Sequence, residues 1–251
     1  MRIGVVIGLL LGCSLTFAQT VPSSESGAAG AVLPQDSVLD ALYGEATSFF
    51  KAGAYTQAAE VFTRVLSLKP GFARAYNDRG SCYRRMGLYE KALADYSQAI
   101  RYEPCAIFYN NRAGVRMKMD DLEAAIADYT IAYALDSTYY PTLNNRGIAF
   151  LNTGEYRQAV TDFSACIRWN PDSYLAYNNR GIAYYKLKAF DLSIADFDKA
   201  ISLRENYGNA YLHRGNLKEM LDDEAGACAD WSRAAALGVG QAQVCLEHCK
   251  E

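Results

Sequence analysis

The chain has 251 residues, 51% of them hydrophobic, and 25 Lys and Arg face 28 Asp and Glu for a formal net charge of -3. This near balance, with no long basic run, argues against nucleic acid, whose binding rests on clustered cations meeting phosphates. No P-loop, Gly-rich dinucleotide fingerprint or metalloprotease helix occurs, so neither a cofactor nor a catalytic metal is expected.

Residues 1–18 read as a secretory signal: Arg2, then an apolar run from Ile3 to Phe17, then Ala18 before Gln19. The run is too short to span a bilayer, so no transmembrane segment is expected. An alternative stays open, because Leu10-Leu11-Gly12-Cys13 resembles the bacterial lipobox, in which the cysteine is acylated and anchors the mature chain. The expectation is an exported protein, periplasmic or secreted, or else an envelope lipoprotein. Residues 19–38, rich in Ser, Gly, Ala and Pro, read as a flexible linker.

From residue 39 to 241 the chain repeats six times, at 34 residues with one step of 33, giving 39–72, 73–105, 106–139, 140–173, 174–207 and 208–241. A period of this length is the signature of a helical solenoid. Position 8 is small (Gly80, Ala113, Gly147, Gly181, Gly215) and position 24 is aromatic (Phe62, Tyr96, Tyr129, Phe163, Phe197, Trp231). Position 15 holds Gly53, Gly87, Asp120, Gly154, Lys188 and Asp222, placing a turn between two helices in each repeat. Pro70, Pro104 and Pro171 at position 32 stop the second helix. A single repeat cannot bury its apolar face, so the six are read as one extended domain, with residues 242–251 as a capping helix over the last.

Within a repeat, Tyr76, Gly80, Tyr83, Gly87, Tyr89, Ala92, Tyr96, Ala99 and Pro104 occupy the small, aromatic and proline positions of the tetratricopeptide repeat, which this chain resembles over about four fifths of its length. The third and fifth repeats depart at the turn and proline positions. The resemblance implies an all-α, right-handed superhelical solenoid whose first helices line a concave groove, and a non-enzymatic role in binding other proteins.

Arginine recurs at position 7 (Arg79, Arg112, Arg146, Arg180, Arg214) and aspartate at position 23 (Asp95, Asp128, Asp162, Asp196, Asp230), while the first repeat has Glu45 and Val61 there. Pairing within each repeat leaves no charge over; pairing across repeats would set Arg79 against Val61. The recurrence is therefore read as structural ion pairs tying first helix to second, with no catalytic role.

The groove of the family is lined by first-helix positions 2, 5, 6, 9, 12 and 13. Here positions 5 and 6 supply Asn77, Asn110, Asn111, Asn144, Asn145, Asn178 and Asn179. Asparagine is a mediocre helix former, so its recurrence needs a reason. Each amide offers a donor and an acceptor, the complement of an extended peptide backbone. Asn111, Asn145 and Asn179 resemble the asparagine ladder of O-linked N-acetylglucosamine transferase; bonds between neighbouring helices are the competing explanation. Arg74, Arg84, Lys118 and Lys186 make the groove positive and suit a partner with an acidic segment, and Tyr185 supplies an apolar anchor. His213 takes the position of an asparagine and is expected to face the groove. The basic residues of a two-carboxylate clamp are not found in three consecutive repeats.

Removal of Cys13 leaves six cysteines, and a staple from Cys228 to Cys245 or Cys249 would fasten the cap. Cys82 and Cys166 replace small residues and are expected as buried thiols. His248 beside Cys245 and Cys249 lacks a fourth ligand, so no metal site is expected. The sequence thus points to a binding scaffold of the bacterial cell envelope that holds a protein or peptide in its groove. A structural assembly factor using its convex face or ends is the alternative.

Overall fold

A computed structural model describes residues 35–250, and every regular element among them is helical. The signal, Cys13, Gln19 and the lead-in up to residue 34 lie outside the described residues. In chain order the helices are α1 (Gln35–Lys51), α2 (Tyr55–Leu68), α3 (Ala73–Arg85), α4 (Tyr89–Tyr102), α5 (Ala106–Lys118), α6 (Leu122–Leu135), α7 (Pro141–Thr153), α8 (Tyr156–Trp169), α9 (Tyr174–Lys186), α10 (Phe190–Leu203), α11 (Gly208–Met220), α12 (Glu224–Ala236) and α13 (Gly240–Cys245). A 3-10 turn (Leu246–Lys250) follows.

The turn between paired helices is built alike in all six repeats. Gly53, Gly87, Asp120, Gly154, Lys188 and Asp222 all have positive φ, from 60° to 83°. That left-handed conformation ends the first helix and admits glycine at least cost. Asp120, Lys188 and Asp222 adopt it nonetheless, which is how the third, fifth and sixth repeats keep the turn without its glycine.

Small and aromatic positions meet inside each helix pair. A Cβ on Gly147 would lie 2.7 Å from the Phe163 ring, one on Gly181 2.8 Å from Phe197, and one on Gly215 2.7 Å from Trp231. The helices have closed onto the rings to a distance only glycine permits. In the third repeat Ala113 sits at this position beside Tyr129, and both are buried.

The chain divides into two compact blocks, with the division between Ser137 and Thr138. A solenoid has only nearest-neighbour contacts, so no shared core gathers distant repeats. In the N-terminal block α1 to α6 pack in sequence, each on the next; in the C-terminal block α7 to α12 do the same and α13 packs on α12. The core of the first block centres on Phe62, Tyr96, Phe108 and Tyr129; that of the second includes Phe163, Phe197, Leu212, Leu217 and Trp231.

Both ends differ from the sequence reading. Helix α1 starts at Gln35, so residues 35–38 of the expected linker are helical, and Leu39 is buried. The cap starts at Gly240 rather than at residue 242, after Gly238 turns the chain at φ 85°, and gives way to 3-10 geometry at Leu246. No helix among the described residues is long and apolar enough to cross a membrane.

Candidate functional site

The first helices are held at fixed spacing by arginine, and their presented faces follow from that. Arg79 Nε and Nη2 donate to the two carboxylate oxygens of Asp95 at 2.8 Å each. The same fork joins Arg112 to Asp128, Arg146 to Asp162, Arg180 to Asp196 and Arg214 to Asp230. Bidentate pairing of this kind fixes orientation as well as distance. Each aspartate is buried, and its bonds raise the pKa of Arg79, Arg112, Arg180 and Arg214 above the ordinary arginine value.

The remaining guanidinium nitrogen does what the sequence reading missed: it reaches the second helix of the preceding repeat. Arg79 Nη1 donates to Thr63 Oγ1 at 3.0 Å, Arg112 Nη1 to Ser97 Oγ at 3.1 Å and Arg180 Nη1 to Ser164 Oγ at 3.0 Å. Arg214 Nη1 reaches the Asp198 carboxylate. Thr63, Ser97, Ser164 and Asp198 all fall at position 25, a polar recurrence legible in the sequence. Four of the five arginines also lie 5.5 Å over a first-helix tyrosine, Arg79 over Tyr76, Arg112 over Tyr109, Arg180 over Tyr177 and Arg214 over Tyr211, and Arg146 lies 5.7 Å over Phe150. Asp128 takes a second cation from Arg116, and Asp230 one from Lys218.

On the first-helix face of the N-terminal block the amides form a closed chain. Tyr43 OH donates to Asp78, Asn77 Nδ2 donates to Asp78 Oδ1 at 3.0 Å, and Asn111 Nδ2 donates to Asn77 Oδ1 at 2.9 Å. The rule is that position 5 of one repeat bonds position 6 of the next. Burial raises the Asp78 pKa, opposed by its bonds from Tyr43 and Asn77. Asn110 is buried, as is Asn77, each 8% exposed. Arg74 and Arg84 are half-buried and Lys118 exposed; Arg84 Nε is buried with no acceptor among the described residues.

The C-terminal block breaks that rule. Asn178 Nδ2 donates to its own neighbour, Asn179 Oδ1, at 3.3 Å. The Asn178 side chain is 2% exposed and its Oδ1 has no partner among the described residues. Asn144 is half-buried and its amide has no bonding partner among the described residues. Position 5 is therefore mostly an interhelical position, since Asn77, Asn110 and Asn178 are all buried, and Asn144 is the exception. Asn111, Asn145 and Asn179 at position 6 keep partial exposure.

Between α7, α8 and α9 lies a pocket of about 190 Å³ that includes Asn144 and Asn145. Elsewhere on this block, Tyr185 packs against Phe190, and exposed Lys186 lies 5.7 Å over the Tyr185 ring. His213 stacks on the buried Phe197 ring at 5.8 Å, and burial lowers its pKa. The ring is thus largely committed to packing.

Cys228 is joined to Cys249, and Cys245 remains a free thiol in the same apolar cluster with Trp231 and Leu212. Cys82 and Cys166 are buried free thiols, both pushed up to about 12 by burial. A thiol so protonated is a packing group rather than a nucleophile. His248 is exposed and 3.9 Å from Glu219, and no metal-binding cluster occurs among the described residues.

Stacked helix pairs, a small-to-aromatic contact in each pair and an arginine fork between first and second helices define an all-α helix-pair repeat protein. Models of the tetratricopeptide repeat match residues 40–71, 73–104, 140–173 and 174–207, together more than half of the chain, and the chain belongs to this family. The chain is 17% identical to the crystal structure of the APC/C hetero-tetramer Cut9–Hcn1, with a TM-score of 0.70 over 86% of this chain and 45% of that one. It thus spans less than half of that relative. It also resembles YrrB, described as a tetratricopeptide-repeat protein with an unusual peptide-binding site, at 19% identity and TM-score 0.62 over 72% of this chain and 97% of that one. PilF of Pseudomonas aeruginosa matches at 18% identity and TM-score 0.70 over 82% of this chain and 94% of that one. At these identities the likenesses show the fold. The family is generally a non-enzymatic interaction fold whose members bind protein or peptide partners.

Proposed function

We propose that the protein is a non-enzymatic scaffold of the bacterial cell envelope that holds an extended peptide or partner helix on its first-helix faces. The observation that carries this reading is the set of part-exposed position-6 amides, Asn111, Asn145 and Asn179, together with the uncommitted amide of Asn144. Amides so placed can match a peptide backbone donor for acceptor while leaving its side chains free. The rigid spacing set by the arginine forks lowers the ordering cost of binding. Arg74, Arg84 and Lys118 on the N-terminal block favour a partner with an acidic segment.

A photo-crosslinker at Asn145 in intact cells, read by mass spectrometry, identifies the partner. Replacing Asn111, Asn145 and Asn179 together by Ala should abolish capture of that partner while the far-ultraviolet helix signal stays. The second reading is an assembly factor that works through its second helices or ends. It is favoured by exposed Trp169 (56%) on α8 and Leu192 (53%) on α10, and capture that survives the triple substitution selects it. The mass of the mature N-terminus separates a Gln19 start from an acylated Cys13.

A further inference from the structure

The pocket between α7, α8 and α9 differs from the rest of the first-helix face in carrying no charge. Its walls are Tyr140, Pro141, Cys166 and Leu175, and its remaining lining is amide or hydroxyl. Tyr140 and Leu175 are each 44% exposed, so two large apolar side chains stand open at its edge. Most of its polar groups are already spoken for. Asn170 Oδ1 accepts from the Asp172 backbone N–H at 3.2 Å, Ser173 Oγ accepts from Ala176 N–H at 3.4 Å, and Asn145 is engaged elsewhere. Asn144 alone among these brings both a donor and an acceptor that no described residue uses.

A volume of about 190 Å³ is below the several hundred Å³ of a cofactor or drug-sized site and fits one large side chain. A carboxylate or ammonium entering it would give up water and meet no opposite charge, which is costly. An aliphatic or aromatic side chain would cover Tyr140 and Leu175 and gain the free energy of apolar burial.

We propose that this pocket takes one uncharged, mainly apolar side chain of an extended peptide, whose adjoining backbone amide bonds to Asn144. The inference deepens the peptide-binding reading above and rests on it. It assigns the anchor residue of the peptide to the C-terminal block. The Cys166 thiol at the pocket wall donates to the Tyr140 carbonyl at 3.8 Å and is part of the wall rather than a reactive group.

The test uses the full chain and amide nuclear magnetic resonance. The probes are p-cresol and isobutanol as apolar side-chain mimics, acetate and methylammonium as charged ones, and a blocked Gly-Ser pentapeptide as a bare backbone. The expected result is that p-cresol and isobutanol shift the Leu175 and Asn144 signals with at least tenfold tighter binding than acetate or methylammonium. Leu175→Glu, at an exposed site, should abolish those shifts and leave the Gly-Ser peptide bound. Asn144→Ala should weaken the peptide instead. Charged mimics that bind as well as p-cresol, or p-cresol shifts unchanged in L175E, overturn the proposal. Peptide binding without mimic selectivity also overturns it while the broader peptide-binding reading stands. Mimic binding without any peptide binding overturns that broader reading, and with it the pocket's role as a peptide anchor.

Discussion

The two blocks share one repeat yet treat their asparagines differently. In the N-terminal block a phenol, a carboxylate and two amides, from Tyr43 through Asp78 and Asn77 to Asn111, close on one another across three repeats. In the C-terminal block Asn144 makes no such bond, and Asn178, which like Asn77 donates to its own neighbour, leaves its oxygen without a partner among the described residues. The lesson is that a residue copied by repetition is not a role copied by repetition. Whether an amide is a rung of structure or an open contact depends on what the next repeat sets opposite it. Internal amides tie the first helices of the first block together, whereas in the second the Asn178 oxygen is buried without a partner among the described residues and Asn144 is half-buried.

The largest expected effect tests how far the blocks are alike where they are built alike. Asp128 in the first block neutralises two cations, Arg112 and Arg116, whereas Asp196 in the second pairs with Arg180 alone among the described residues. Removing either carboxylate strands half-buried positive charge, at a cost of up to about 3–5 kcal/mol. Asp128→Ala should lie at the upper end and Asp196→Ala at the lower, measured by urea unfolding. Equal losses below about 1 kcal/mol would mean that these pairs behave as surface pairs.

The second effect turns the comparison on the amides. Asn77→Ala takes the acceptor from Asn111 and a donor from Asp78, leaving half-buried polar groups unpaired, and should destabilise the N-terminal block by about 1–3 kcal/mol. Asn144→Ala breaks no bond and should change stability by no more than about 0.5 kcal/mol. Hydrogen exchange of each block's amides reads the two separately. A loss on Asn144→Ala as large as that on Asn77→Ala would show that the two blocks use their asparagines alike after all.

Much of this was legible before the structure. The period gave the helix pairs, and the residues at position 15 gave the turns, because only a left-handed residue suits that place. The charge tally of the first repeat, with Val61 where aspartate should be, gave the partner of each arginine. What the sequence concealed is set by neighbours. Position 25 holds hydroxyls in Thr63, Ser97 and Ser164 and a carboxylate in Asp198, so the polar recurrence is legible but its shared role as the arginine's third contact is not. The openness of Asn144 was equally hidden, since Asn110-Asn111, Asn144-Asn145 and Asn178-Asn179 read identically. The division at Ser137 and Thr138 leaves no mark on the repeat pattern either, because each repeat is specified by its own residues.

The smallest effect separates the blocks by the sign of their response to pH. Position 6 holds Asp78 in the first block and His213 in the second, where other repeats have Asn111, Asn145 and Asn179. Burial raises the Asp78 pKa above 3.8, so the folded chain keeps a proton that the unfolded chain has lost. Its contribution is complete below pH 3.8 and fades as pH rises through the folded value. Burial lowers the His213 pKa below 6.5, so there the unfolded chain holds the extra proton. That contribution is complete above pH 6.5 and fades as pH falls toward the folded value. Asn is the neutral residue the repeat itself supplies. Asp78→Asn should therefore stabilise the N-terminal block at neutral pH, since its amide oxygen can still accept from Tyr43. His213→Asn should flatten the decline of the C-terminal block below pH 6.5 and leave the first block untouched. Hydrogen exchange across that range, block by block, decides it: a slope below pH 6.5 that persists in His213→Asn assigns the acid response of the C-terminal block to other groups.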